Sequence, residues 1–314
     1  MRPMVKPALV KVWRDASTVQ FGVDSATAVV VTGVTSVVRQ VIELLDGTHD
    51  REGLRAVTAR AGVPEHVTDA VVDRLTAAGV LDDAAADTSV LRALDVAARD
   101  RLQPELASLS VLRPEPGAGL RALEKRQARS VVVSGSGRLA AEVTGLLRAS
   151  GVGSVTPSAA HAPPGGDPRR RRPDLVVVTA YGAPSPECVD AMSRLGAPHL
   201  AVVAREVGGV VGPLVRPGET SCLRCHDLHR ADRDPAWPLL ALQAASSGPP
   251  CEPVPTSLIS IIAGTAALQA LGHLDGDDPP TLDGTLEIKL PDWRLRRRSW
   301  APHPDCYCAL ARAG

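Results

Sequence analysis

Four of the six cysteines fall in two close pairs, Cys222-Leu223-Arg224-Cys225 and Cys306-Tyr307-Cys308. A C-x-x-C or C-x-C turn presents two sulfurs less than about 4 Å apart, as the edge of a zinc tetrahedron requires. Two such turns brought together complete a site. The pairs are separated by roughly 80 residues, so a bound ion would clip the C-terminal segment back onto the body of its domain. Four sulfurs leave no open coordination position, which makes the expected zinc structural and not catalytic. Buried free thiols are the alternative. His226, His229 and His303 lie near enough in sequence to act as substitute ligands, although a complete thiolate set does not need them. Cys251 stands outside both pairs in Ser247-Gly248-Pro249-Pro250-Cys251-Glu252-Pro253. It is a candidate nucleophile, or a bystander, since no histidine with an orienting partner can be assigned to it.

A second constellation is the stretch Gly135-Ser136-Gly137-Arg138-Leu139-Ala140. It follows the apolar run Ser130–Val133 and precedes Val143, Leu146 and Leu147 at helical spacing. A glycine loop between a strand and a helix lets backbone N–H groups approach phosphate, so Gly135, Gly137 and Ala140 are candidate cofactor-binding residues. Close packing of helix on strand would require the same glycines. A ribose clamp needs an acidic side chain about 20 residues further on, and the corresponding strand end reads Thr156-Pro157-Ser158. The run Arg169–Arg172 sits in a Pro/Gly-rich stretch and reads as a solvated loop, with phosphate contact as the alternative.

The elements that position these residues fall into two parts, as a length of 314 residues suggests. Basic and acidic side chains balance at 35 each, and apolar residues make up 44%, which excludes a disordered polyampholyte and a DNA-coating protein. With one Phe, two Tyr and four Trp, a stacking platform for single strands is not expected. No apolar run approaches the roughly 18 residues of a membrane span, and the first residues lack a signal-peptide core, so a cytoplasmic protein is expected. Residues 1–82 read as three short strands (Ala8–Arg14, Thr18–Val23, Ala28–Thr32), three helices ending near Gly47, Gly62 and Gly79, and a returning strand at Val80-Leu81. The third strand, with Val29, Val30 and Val31, and the third helix, with Val67, Val71, Arg74 and Leu75, could border a groove for a peptide added as a strand. A DNA-binding winged helix is disfavoured because Glu65, Asp69 and Asp73 outnumber Arg74 on that helix.

Residues 83–129, with Pro104, Pro114 and Pro116, read as a linker containing a possible helix. From residue 130 onward strands alternate with helices, which predicts an α/β domain on a mainly parallel, covered sheet. The stretch Ser257–Leu274 predicts a long helix buried in the core or against a second copy, and Leu286, Ile288, Leu290 and Leu295 predict a hairpin.

Residues 130–314 resemble the ThiF/MoeB-like, ubiquitin-activating-type adenylating family. The resemblance rests on the glycine loop, the paired cysteines, Gly212-Pro213-Leu214-Val215-Arg216-Pro217-Gly218 before Cys222, and Ala263-Gly264-Thr265-Ala266-Ala267-Leu268-Gln269-Ala270. Residues 1–82 are similar to the PqqD-like peptide-recognition element, a winged helix-turn-helix relative. Leu228–Pro238 resembles the version found in thiazole/oxazole-modified microcin clusters. The resemblance implies binding of a precursor's leader peptide and its presentation to a YcaO-like cyclodehydratase that forms azolines at Cys, Ser or Thr. Active adenylating members carry an acidic ribose ligand and an acidic magnesium ligand, where this chain has Thr156-Pro157-Ser158 and Thr179-Ala180-Tyr181-Gly182. That departure implies a vestigial nucleotide loop, lost ATP chemistry and a non-catalytic scaffold role. The other readings are an active adenylyltransferase acting on a peptide or sulfur-carrier C-terminus through Gly135, Gly137 and Cys251, and a metal-sensing winged-helix regulator. A homodimer is a further implied partner; nucleic acid and membrane are not.

Overall fold

The computed structural model describes residues 1–86, 88–92, 94–158, 172–246 and 253–310. The chain divides into two compact units, Met1–Glu124 and Lys125–Gly314.

In the first unit, β1 (Pro3–Val5) is followed by a three-stranded antiparallel meander, β2 (Lys11–Asp15), β3 (Thr18–Phe21) and β4 (Val29–Val31). Alternation sets the faces of β3, whose Val19 and Phe21 are fully buried. Helices α1 (Ser36–Glu43), α2 (Arg51–Arg60) and α3 (Glu65–Ala77) follow. The first two begin at side-chain caps: Thr35 Oγ1 accepts from Val38 N, and Asp50 Oδ1 accepts from Gly53 N. Strand β5 (Leu81–Asp83) then returns, but it pairs with β1 at the very N-terminus, a strand with too little pattern to be legible in three residues. The core gathers Val19, Phe21, Ile42, Leu54, Val72, Leu75 and Leu81.

The stretch read as a linker holds three helices, α4 (Ser89–Arg92), α5 (Val96–Leu112) and α6 (Ala118–Gln127), with Pro104 inside α5. Its prolines therefore do not mark an open connector. Leu102, Leu109, Ala122 and Leu123 form a small core of their own. Residues 113–117 are tied to the sheet by the fully buried Lys6, whose Nζ donates to Arg113 O at 3.3 Å and Pro114 O at 3.0 Å. Gly117 N donates to Asp82 Oδ1 at 2.6 Å.

The second unit is built on a seven-stranded sheet. In chain order it comprises β6 (Ser130–Ser134), α7 (Gly137–Ala149), β7 (Ser154–Ser158), β8 (Leu175–Tyr181), α8 (Pro186–Leu195), β9 (His199–Arg205) and β10 (Gly208–Val215). Next come α9 (Leu223–Arg233), α10 (Trp237–Ser246), α11 (Thr256–Leu274), β11 (Gly284–Lys289), β12 (Leu295–Ser299) and α12 (Tyr307–Leu310). The strand order is β12-β11-β10-β9-β8-β6-β7. Strands β7, β6, β8 and β9 are parallel, whereas β10, β11 and β12 add antiparallel pairings. The sheet is thus mixed, not mainly parallel. Only Glu206 and Val207 separate β9 from β10, and a parallel crossover cannot be made in two residues.

Helices α7 and α11 cover one face of the sheet and α8 the other. Gly209 of β10 has a packing reason: a Cβ there would lie 2.2 Å from Ile262 Cδ1 of α11. Helix α11, 19 residues with mean hydropathy 1.4, is long and apolar enough to cross a membrane by length and composition. The sequence hides this because Ser, Thr, Gly and Gln interrupt any continuous apolar run. Nine of its residues, from Leu258 to Leu274, are buried against the rest of the unit, as in a core helix. Ile261 and Leu268 remain on its outer face, with Leu268 70% exposed.

Candidate functional site

The four paired cysteines come together. Cys222 caps the N-terminus of α9 and Cys225 lies in its first turn, while Cys306 and Cys308 enter from α12 and the residue before it. The Sγ atoms of Cys222 and Cys225 are 3.7 Å apart, those of Cys222 and Cys306 3.6 Å, and those of Cys225 and Cys308 3.3 Å. A tetrahedral ion with bonds of about 2.3 Å to sulfur places its ligands about 3.8 Å apart. All four sulfurs lie within 4.8 Å of one another, so the set fits one metal ion. The sulfurs cannot all ionise without a cation. The Cys222 thiol, by donating to Cys225, holds the Cys225 thiol down, whereas burial pushes Cys308 up.

The loop before α9 is fixed in advance. Thr220 Oγ1 accepts from Arg216 N at 2.8 Å, and Asp283 Oδ1 accepts from Ser221 N at 2.6 Å. The three nearby histidines are not among the four sulfurs. His229 Nε2 donates to Ala301 O at 2.9 Å, and His303 Nε2 donates to Asp232 at 2.9 Å while its Nδ1 accepts from Asp305 N. These bonds hold residues 301–305 against α9, which delivers Cys306 and Cys308 to their partners. Burial drives His226 down to about 3, so it is neutral where it packs on Trp300, 4.8 Å between ring centroids.

The glycine loop lies where β6 is flanked by β7 and β8, the point at which open α/β sheets hold ligands. Here Gly135, at φ +136°, is pressed onto β8: a Cβ would stand 2.0 Å from Thr179 Oγ1 and 2.7 Å from Thr179 O. Its N–H donates to Ser158 O at 3.0 Å, and the Thr179 hydroxyl donates to Ser134 O at 3.1 Å. Gly137 also has positive φ, +84°, and Ala140 is buried against the sheet. Arg138 reaches away from the loop to Val254 O at 2.8 Å. The close-packing role of Gly135 is therefore visible. The described ends of β7 and β8, Thr156–Ser158 and Thr179–Gly182, carry no carboxylate.

In the first unit, β4 is the edge of its sheet, with β3 on one side only. Beside it lies an apolar cavity of about 320 Å³ lined from β4 by Val31, from α1 by Val38 and Ile42, and from α3 by Val67, Val71 and Leu75. Arg74 and His66 are the ionisable residues of the lining, and both are exposed. Val29 and Val30 complete the strand, Val30 being 42% exposed. The carboxylates on α3 turn out to serve another purpose than repelling a ligand. Asp69 is paired with Arg55 of α2 at 2.9 Å, and Asp73 with Arg51.

Sequence reasoning missed Lys6, helices α9 and α10 as elements, and a buried ion pair, Arg126 with Asp275, that no local pattern announces. Cys251 and Arg169–Arg171 lie outside the described residues.

No protein-family model matches the chain. No curated protein matches either. Among solved structures, the heterocyclase TruD superposes with TM-score 0.67 at 19% identity, covering 97% of this chain and 42% of that one. A heterocyclase in complex with substrate and cofactor gives TM-score 0.65 at 18% identity, covering 95% and 38%. MccB of E. coli with AMPCPP and MccA gives 0.66 at 12% identity, covering 98% and 99%. The chain thus spans less than half the length of these heterocyclases and nearly all of MccB. The likeness is one of fold: a mixed α/β architecture shared with MccB and with part of the heterocyclases.

Proposed function

We propose that the chain binds the leader segment of a ribosomally made precursor peptide in the groove between β4 and α3 and presents it to a YcaO-like, ATP-dependent cyclodehydratase. On this reading residues 1–82 form a PqqD-like winged helix-turn-helix and residues 130–314 a zinc-holding, ThiF-like domain that no longer adenylates. The observation that carries it is the unpaired edge of β4 beside an apolar cavity. An extended peptide would add a fourth strand to the meander through main-chain hydrogen bonds and drop alternate side chains among Val31, Val67, Val71 and Leu75. Apolar lining suits side chains, whereas duplex DNA would need a dense phosphate-binding surface. Fold relatives include heterocyclases and MccB, one solved with substrate and cofactor and another with MccA. The share of the heterocyclases that this chain does not span is where the YcaO-like chemistry would reside. The outer face of α11, with Ile261 and Leu268, would serve a second copy of the chain.

The test is fluorescence anisotropy of a labelled candidate leader peptide, taken from a short open reading frame encoded near this chain's gene, titrated with the full chain. Val67→Asp is the informative variant, because Val67 lines the cavity but lies outside the core cluster. A buried, unpaired carboxylate should weaken binding by about tenfold or more. Equal binding by the variant, or by an unrelated peptide of the same composition, would refute the groove. A peptide-dependent ATP–pyrophosphate exchange signal removed by changes in the glycine loop would instead assign the chain to adenylation.

A further inference from the structure

A second cavity, about 280 Å³, opens in the second unit, far in character from the apolar groove. Four of its lining side chains are arginines: Arg205 at the end of β9, Arg230 and Arg233 on α9, and Arg298 on β12. Two of them are neutralised. Arg230 pairs with Asp227 at 3.5 Å and Arg298 with Glu287 at 3.2 Å. The other two are not: among the described residues, neither Arg205 nor Arg233 has a carboxylate within ion-pair distance. Arg205 donates only its Nε, to Gly182 O at 3.3 Å. Arg233 stands 5.1 Å over the ring of Trp300. Asp234, also in the lining, caps the next turn by accepting from Ala236 N.

Three of the four guanidinium groups lie against aromatic rings. Trp300 is nearly buried and faces Arg230, Arg233 and Arg298 at 5.8, 5.1 and 5.7 Å. Its Nε1 donates to Thr285 Oγ1 at 2.9 Å, and Trp237 Nε1 donates to Asp227 at 3.1 Å. With both indole N–H groups spent, the rings act as supports and exclude water. Burial disfavours the Arg230 charge and nearby Arg205 adds to that, while Asp227 and Glu287 act the other way.

We propose that this cavity is a binding site for a small oxyanion, a phosphoryl or carboxylate group with at least two acceptor oxygens, gripped by Arg205 and Arg233. Planar guanidinium forks match such groups bidentately, and the site is open to a ligand from solvent. The site uses neither the glycine loop nor the groove of the first unit, so it stands or falls apart from leader binding.

The experiment titrates the full-length protein with inorganic pyrophosphate and, separately, with succinate, read by calorimetry and by tryptophan fluorescence, since Trp237 and Trp300 are two of only four indoles. Saturable binding that weakens with salt is expected, and preference between the two probes assigns the phosphoryl or the carboxylate source. Arg233→Gln and Arg205→Gln should each weaken it by about tenfold or more, the loss of a charge-assisted contact. Arg294→Gln, outside the lining, should change nothing. No saturable binding of either probe, or unchanged affinity in both variants with the fold intact by circular dichroism, would overturn the proposal. The two variants guard against a folding defect in one of them, because Arg233 is exposed and Arg205 makes a single backbone contact.

Discussion

Loading and stripping a metal ion at the cysteine cluster, which could hold one, is the perturbation whose size can be worked out from the structure. The cluster joins the start of α9 to α12 and so closes a loop of about 80 residues. Constraining a loop of that length in the unfolded chain is worth about 4.5 kcal/mol on the chain-entropy relation. On this cross-link account the figure is reduced here. His229 to Ala301, His303 to Asp232 and the packed Trp300 already hold part of the strap. The sulfurs can also re-protonate once the ion leaves, which spares the protein an uncompensated cluster of thiolates. A loss of about 2–4 kcal/mol is expected, a fall in Tm of roughly 5–15 °C for a unit of this size. The assay combines metal analysis, thermal unfolding with and without a strong chelator, and hydrogen exchange by mass spectrometry. One equivalent of metal is expected, with exchange accelerating on chelation in α9, β11, β12 and residues 300–310 and unchanged in the first unit. Metal-free protein that gains no stability from added zinc, or a chelator that leaves exchange in α9 unaltered, would refute the reasoning.

Gly135→Ala should destabilise the protein by about 2–4 kcal/mol with no nucleotide present, because its Cβ meets Thr179 backbone that cannot yield; urea unfolding measures it, and wild-type stability would restore a purely ligand-binding reason for the glycine. Asp275→Ala should cost about 3–5 kcal/mol by leaving Arg126, 5% exposed, without its bidentate partner. The double change Arg126→Met with Asp275→Leu should recover most of that in the same assay. His199 is held down to about 4 by burial, against 6.5 when free. The unfolded chain therefore takes up a proton below about pH 6.5 that the folded one refuses, and roughly 3 kcal/mol of stability is lost as pH falls toward 4. Unfolding titrated across that window should show a shallower slope in His199→Gln.

What the sequence determined by itself was local. Short apolar runs, helical stripes and glycine stops located the meander β2–β4, the helices α1–α3 and the β6-loop-α7 unit to within a few residues. Those signals need only the chain's own periodicity. The cysteine cluster that could hold a metal ion was legible for the same reason: each pair is a turn whose sulfurs are placed by local geometry, and two turns imply one tetrahedron. What the tertiary structure decided is everything that depends on which elements become neighbours. Residues 83–129 look like a connector until Lys6, just after β1, and Asp82 of β5 fasten residues 113–117 to that strand pair. The carboxylates of α3 look like a repulsive face until α2 supplies Arg51 and Arg55. Gly135 looks like half of a phosphate loop until Thr179 is found against it. The arginines around Trp300 come from β9, α9 and β12, up to 93 positions apart in the chain, and no window of sequence contains them. Long-range pairing sets burial, and burial sets the cost of each charge, so the chemistry of those side chains exists only in the fold.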